Sequence, residues 1–325
     1  MCVLRHLASS DDSSCTNLAV SPLSLHAALA LLAAGARGAT LDEIADFLGP
    51  AGGRAHATLA SYVATRVLAD GGGGGEGGLA LGFANGVWID ADLQLQASFA
   101  RVAAEQYRLP RRGAPGLLQT HAGGGEEPDQ PVDRERDGRP IKDLLPAGSL
   151  HHGSPAVLAN ALYFKDAWQR RFDACLTRDE AFFLHDDGYV RVPFMSNTSS
   201  KLYIACRPGY KVLRLPYARG GAQCRLCSMY IYLPDAHDGL QSLLDKLSAD
   251  PALLESSGTL ADEVPVRAFR VPKFTVSYKT NLTEMLRDLG LLLRSTASPL
   301  TSLTWWSGRR SRSSCRTSTT GPWWR

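Results

Sequence analysis

With 325 residues, 44% of them hydrophobic, the chain holds enough material for one large domain or two of ordinary size. Its formal net charge is +3, yet residues 294–325 alone carry six Arg and no acidic side chain, so the remainder is slightly acidic and a general nucleic-acid footprint is excluded. Seven Cys at irregular spacings give no disulfide framework, residues 1–14 carry no secretory pattern, and the longest apolar stretch, Leu25 to Ala36, is too short to cross a bilayer. A cytoplasmic location is the expectation from these features.

The first predicted element is a helix capped by Ser21 with Pro22 at its first position; it runs almost wholly apolar to a stop at Gly35 and therefore belongs in a core. Thr40 and Glu43 form a capping-box pattern ahead of LDEIADFLG, a second helix closing at Gly49-Pro50. A Gly-rich linker at 71–78 precedes Leu79, Leu81, Phe83, Val87 and Ile89, which alternate as a strand; from Leu95 to Gln106 the spacing turns helical. AVLANALYF, from Ala156 to Phe164, reads as a strand buried on both faces, and CSMYIYLP and VPVRAFRVPKFTVSY read as further strands. Helical text lies between these two, from Gly239 to Leu254, and Asn281 with Glu284 caps a last short helix ending at Gly290. Helices early and strands later predict an α+β fold in place of alternating βαβ units.

Several collinear blocks carry a family resemblance. NLAVSPLSLHAALALLAAGARGATLDEIADFLG, FANGVWID, IKDLLPAGSL, LANALYFKDAW, VPFM, YKVLRLPY, SMYIYLPD and VPKFTVSYKTNLTEMLRDLGL resemble, in order, the serpin family, especially its plant members. The resemblance spans 3–293 and implies a single domain of three sheets and about nine helices. It also implies extracellular placement as the alternative to the cytoplasm, and serine proteases as partners of inhibitory members, which offer a reactive loop near the C-terminus. Ser21, Ser24 and Asn160 match the family's shutter, a polar cluster beneath the largest sheet, and Trp168 matches the breach, where loop insertion starts. The family's His partner for the cluster would come from a strand beyond residue 293, so Asn160 is expected to be incompletely satisfied, at a cost of roughly 1–3 kcal/mol.

Two segments depart from the pattern. Residues 123–140 hold Pro128, Pro131 and alternating charges where the family has an amphipathic helix, and residues 294–325 hold fourteen Ser or Thr and four Trp. Shifting the reading frame across codons 123–139 permits text resembling the missing helix. Shifting it from Leu293 onward permits text resembling the strand that leads into the reactive loop. Both segments are therefore expected to be out-of-frame and disordered, and the tail 294–325 to be dispensable, leaving no reactive loop and a non-inhibitory chain. A protease would be a partner only with the frame restored, and an interaction or ligand-binding serpin is a further alternative.

Nothing else carries catalysis. The chain holds no G-x-S-x-G, P-loop or HExxH pattern, and no cofactor, nucleic acid or membrane is implied. Cys224 and Cys227 form a lone CxxC that reads as packing residues; His151-His152 falls in a loop.

Overall fold

The computed structural model describes residues 6, 17–68, 80–90, 94–107, 109, 119–120, 156–184, 188–197, 201–218, 227–257, 260–280, 282–291, 306–307, 316–317 and 319–324. The Gly-rich linker, the segment 123–140, His151, His152, Cys224 and Asn281 lie outside these residues.

Helix α1, Pro22–Ala34, begins as its sequence predicts: the Ser21 side chain accepts the backbone N–H of Ser24 at 3.2 Å, Pro22 opens the helix, and Gly35 closes it. Ala27, Leu31 and Leu32 have no exposed surface, so this all-apolar helix is the axis of the main core. Around it lie α2 (Ala39–Leu48), α3 (Gly53–Tyr62, continued by a π-turn over Val63–Val67) and α4 (Ala97–Tyr107). Helix α2 starts earlier than the capping-box pattern implies. Gly38, at φ 56°, is the N-cap and offers no side-chain cap, while Thr40 lies buried inside the first turn. A glycine there supplies the positive φ that the chain needs as it turns into α2.

The largest sheet has six strands. Strands β1 (Ala80–Asp90) and β4 (Ala156–Lys165) pair antiparallel along ten residues, from Ile89↔Ala156 to Ala80↔Lys165. Outside β1 runs β3 (Gln119–Thr120), which is parallel to it. Beyond the other edge of β4 lie two pieces of the C-terminal segment, β14 (Arg316–Thr317) and β15 (Thr319–Trp324), both parallel to β4. Strand β12 (Ser277–Thr280) closes that side, antiparallel to β15. Val157, Ala159 and Ala161 on β4 are almost fully enclosed, as the continuous apolar run predicts.

Two further sheets and one strand pair complete the described β structure. β7 (Lys201–Arg207), β8 (Tyr210–Pro216) and β9 (Ser228–Pro234) form a meander that β10 (Val264–Pro265) joins at the β7 edge. Helices α5 (Leu240–Ala249) and α6 (Ala252–Ser257) follow it, and Leu243 and Leu247 of α5 pack on Tyr210 and Val212 in a second core. β5 (Arg178–Phe183), β6 (Tyr189–Met195) and β11 (Val271–Pro272) form the third sheet. β2 (Gln94–Leu95) pairs with β13 (Trp306–Ser307). Helix α7, Leu282–Asp288, ends near Gly290, whose φ of 98° lets the chain leave the helix. The fold is α+β, as expected.

Two expectations need correction. The stretch 264–278, read as strand text, pairs only in short pieces, 264–265, 271–272 and 277–280, because Pro265 and Pro272 have no N–H to continue a ladder. The disorder expected for 294–325 does not hold for the pieces 306–307, 316–317 and 319–324, which pair in sheets. Main-chain pairing demands little of side chains, and a Thr-rich extended segment can satisfy the open backbone groups of β4 and β12 whatever its origin. The fit is imperfect: the β12–β15 register shifts between Ser277 and Lys279, opposite Gly321-Pro322, where proline has no donor to give.

Candidate functional site

The polar residues singled out in the sequence meet beneath the large sheet. Ser24, on the first turn of α1, donates its hydroxyl to the Asn160 carbonyl oxygen, and Asn160 Nδ2 donates to Asn85 Oδ1 at 2.6 Å. Asn85 Nδ2 in turn donates to the backbone oxygen of Tyr107, at the end of α4, at 3.2 Å. Ser21 stands one step back, accepting from the Ser24 backbone N–H. Asn85 and Asn160 are directly opposed partners in the β1–β4 ladder, and with Ser24 all three are buried. Buried amides and hydroxyls need partners, and this chain of bonds supplies them across a helix, two strands and a second helix.

Asn160 is therefore not the incompletely satisfied group expected from the sequence. Asn85, whose amide answers it, was not singled out: in the run GFANGVW it stands among apolar residues with nothing local to mark its opposite number. Among the described residues two buried side-chain groups lack a partner, the Ser248 hydroxyl on α5 and, at this site, the Tyr107 hydroxyl. Burial pushes its pKa up to about 12.

Trp168 does not join that cluster. It lies past the C-terminal end of β4 and bridges to Tyr217, past the end of β8, with the two rings stacked at 4.7 Å and 11°. Phe172 meets the indole edge-on at 6.0 Å, and Phe164 meets the Tyr217 ring at 5.1 Å. Main-chain bonds fix the pair on both sides: Gln169 N–H to Pro216 O at 2.9 Å, and Ala218 N–H to Ala167 O at 2.7 Å. Burial raises the Tyr217 pKa, and the negative charges of Asp166 and Cys227 add to that. Trp168 thus fastens the large sheet to the four-stranded one.

Neither cluster pairs a nucleophile with a base. Cys227 is half-buried with no metal-ligating company, since no group of three or more His, Cys, Asp or Glu suited to a metal occurs among the described residues. Nor is any helix among them long and apolar enough to cross a membrane. The arrangement is mechanical: a polar knot under the middle of a sheet and an aromatic clasp at one end of its central strand.

Residues 1–293 match a protein-family model described as Serpin (serine protease inhibitor). The chain belongs to the serpin family. It is 42% identical over 288 residues to Serpin-Z1B of Triticum aestivum, covering 88% of this chain and 70% of that protein. To Serpin-ZXA of Oryza sativa subsp. japonica it is 43% identical over 279 residues, covering 85% of this chain and 68% of the relative. Among solved structures it is similar to Arabidopsis AtSerpin1 in its native stressed conformation, with a TM-score of 0.79, 30% identity, and coverage of 99% of this chain and 80% of that one. The chain is thus a plant-like serpin. Serpins generally act on serine proteases as inhibitors and not as catalysts.

Proposed function

We propose that this serpin, in the form of its 325 residues, does not inhibit proteases. Inhibition in the family needs a long hinge of small residues that enters the large sheet beside its central strand, and an exposed scissile bond beyond it. The observation that carries the reading is the strand beside β4. Its residues, Thr319–Trp324, hold Gly321, Pro322 and two Trp, and they lie outside the family match, which stops at 293. None of 294–325 supplies a small-residue hinge. The shutter role of Ser21, Ser24 and Asn160 and the breach role of Trp168 are part of the same proposal. Their bonding suits a sheet held shut, and residues 294–325 do not resemble a segment that would open it.

Incubated at saturating ratios with trypsin-like and chymotrypsin-like serine proteases, the chain should yield ordinary fragments, leave protease activity undiminished and form no complex that survives denaturation. A covalent complex on a denaturing gel would overturn the proposal. A second reading, favoured by the match to the serine protease inhibitor family model up to residue 293, is that both irregular segments are shifted frame and the gene encodes a suicide-substrate inhibitor. Transcript sequence across codons 120–142 and 290–325 decides that reading.

A further inference from the structure

Two imidazoles meet between α1 and α3. The His26 and His56 rings lie with centroids 5.3 Å apart and planes tilted by 52°. His56 is only 7% exposed. Its Nε2 lies 3.0 Å from the Gly49 carbonyl oxygen, and the His26 Nε2 lies 3.4 Å from the backbone oxygen of His56. A carbonyl can only accept, so each Nε2 carries a hydrogen, and each neutral ring leaves Nδ1 as the nitrogen that takes up a proton. Gly49 is the residue that closes α2. One run of contacts therefore joins three helices: from α1 to α3, and from α3 to the end of α2.

Little on these elements compensates a charge on the pair. Helix α1 has no other titratable side chain; α2 carries Asp42, Glu43 and Asp46, α3 carries Arg54 and Tyr62, the π-turn Arg66, α4 Arg101, Glu105 and Tyr107, and β4 Tyr163 and Lys165. Burial holds the His26 imidazole below its ordinary value of 6.5, against the pull of its hydrogen bond to the His56 carbonyl, and the charge of a protonated His56 lowers it further; no carboxylate acts on it.

We propose that the His26–His56 pair is an acid-sensitive latch, which packs α1 against α3 and the end of α2 while His26 is neutral and releases that packing when His26 is protonated. A ring whose folded value is depressed contributes stability that is fully present above the unfolded value of 6.5 and is lost as pH falls below it through the folded value. Ser24 sits two residues before His26 on the same helix, so the release slackens its bond to Asn160 and carries the pH signal to the polar knot.

The test is amide exchange on the full chain, corrected for intrinsic rates, at about pH 7.5 and about pH 5. Peptides covering α1 and residues 49–60 should lose protection roughly tenfold or more at the acidic value, and the double variant His26→Gln, His56→Gln should show equal protection at both. Unchanged protection in the parent chain, or the same acid loss in the double variant, overturns the latch. Should the variant fail to fold, proton NMR titration of the two rings in the parent chain decides. A His26 midpoint below 6.5 supports the latch, and a His26 midpoint at 6.5 overturns it.

Discussion

Asn160 answers two neighbours at once, as Asn85 does, and that makes both of them costly to remove. Asn160→Ala leaves the Ser24 hydroxyl and the Asn85 carbonyl oxygen without their partner in a space closed to water. At about 1–3 kcal/mol for each buried group left unpaired, the loss should come to roughly 2–6 kcal/mol in denaturant melts, with Asn85→Ala in the same range. A double-mutant cycle on Asn85 and Asn160 should show coupling, since the two share one hydrogen bond. Tyr107 gives a prediction at the alkaline end. Its pKa is raised from 10.0 to about 12 by burial, so its contribution is fully present below pH 10.0 and is lost as pH rises toward 12. Tyr217 is shifted in the same direction. The ultraviolet signal of these two tyrosinates should therefore appear together with unfolding; smooth ionisation of all tyrosines near pH 10 in a folded chain would count against it. At this scale the sequence was only partly legible. Ser21 advertises itself as a cap by the proline that follows, and Ser24, Asn160 and Trp168 were reached through resemblance. Asn85, Tyr107 and the His26–His56 contact depend on which element lies across from them, and no spacing within one element carries that information.

Elements show the same division. Helix α1 and strand β4 were readable because each is a long apolar run with clear ends, whereas α3 was not. Gly52 stands at its N-cap and Gly53 opens it, so it has no side-chain cap, and it carries no acidic residue in its first turn. The β7–β8 connection has the opposite character, since its turn is written in two letters. Arg207 pairs with Tyr210 across Pro208-Gly209, with proline fixing the first central residue and Gly209 taking φ 88° at the second. A Cβ at Gly209 would meet nothing within 4 Å, so the cost of Gly209→Ala is backbone strain alone. That substitution should lower stability by about 1–2 kcal/mol, while Pro208→Ala should cost less. Thermal midpoints of the two variants check the order, and a neutral Gly209→Ala would contradict it.

For the whole molecule the decisive pairing is that of β15. Residues 294–325 were expected to be dispensable, but β15 lies between β4 and β12 and its removal would leave the central strand of the largest sheet with an open, apolar edge. Truncation after Leu293 should therefore lower the thermal midpoint and raise aggregation in light scattering; a truncated chain as soluble and stable as its parent would restore the original expectation. The same feature bears on how the molecule comes to be made. Tyr163 is synthesised well before its partner on that side, Trp323, about 160 residues further along the chain. At a ribosomal rate of about 5–20 residues per second, on the order of ten to thirty seconds pass between them. Throughout that time β4 can pair with β1 alone. Contacts so distant along the chain slow folding, and a nascent strand waiting half-dressed is a target for other nascent chains, so the yield of this protein in cells should depend on chaperones that shield β4 until β15 has emerged.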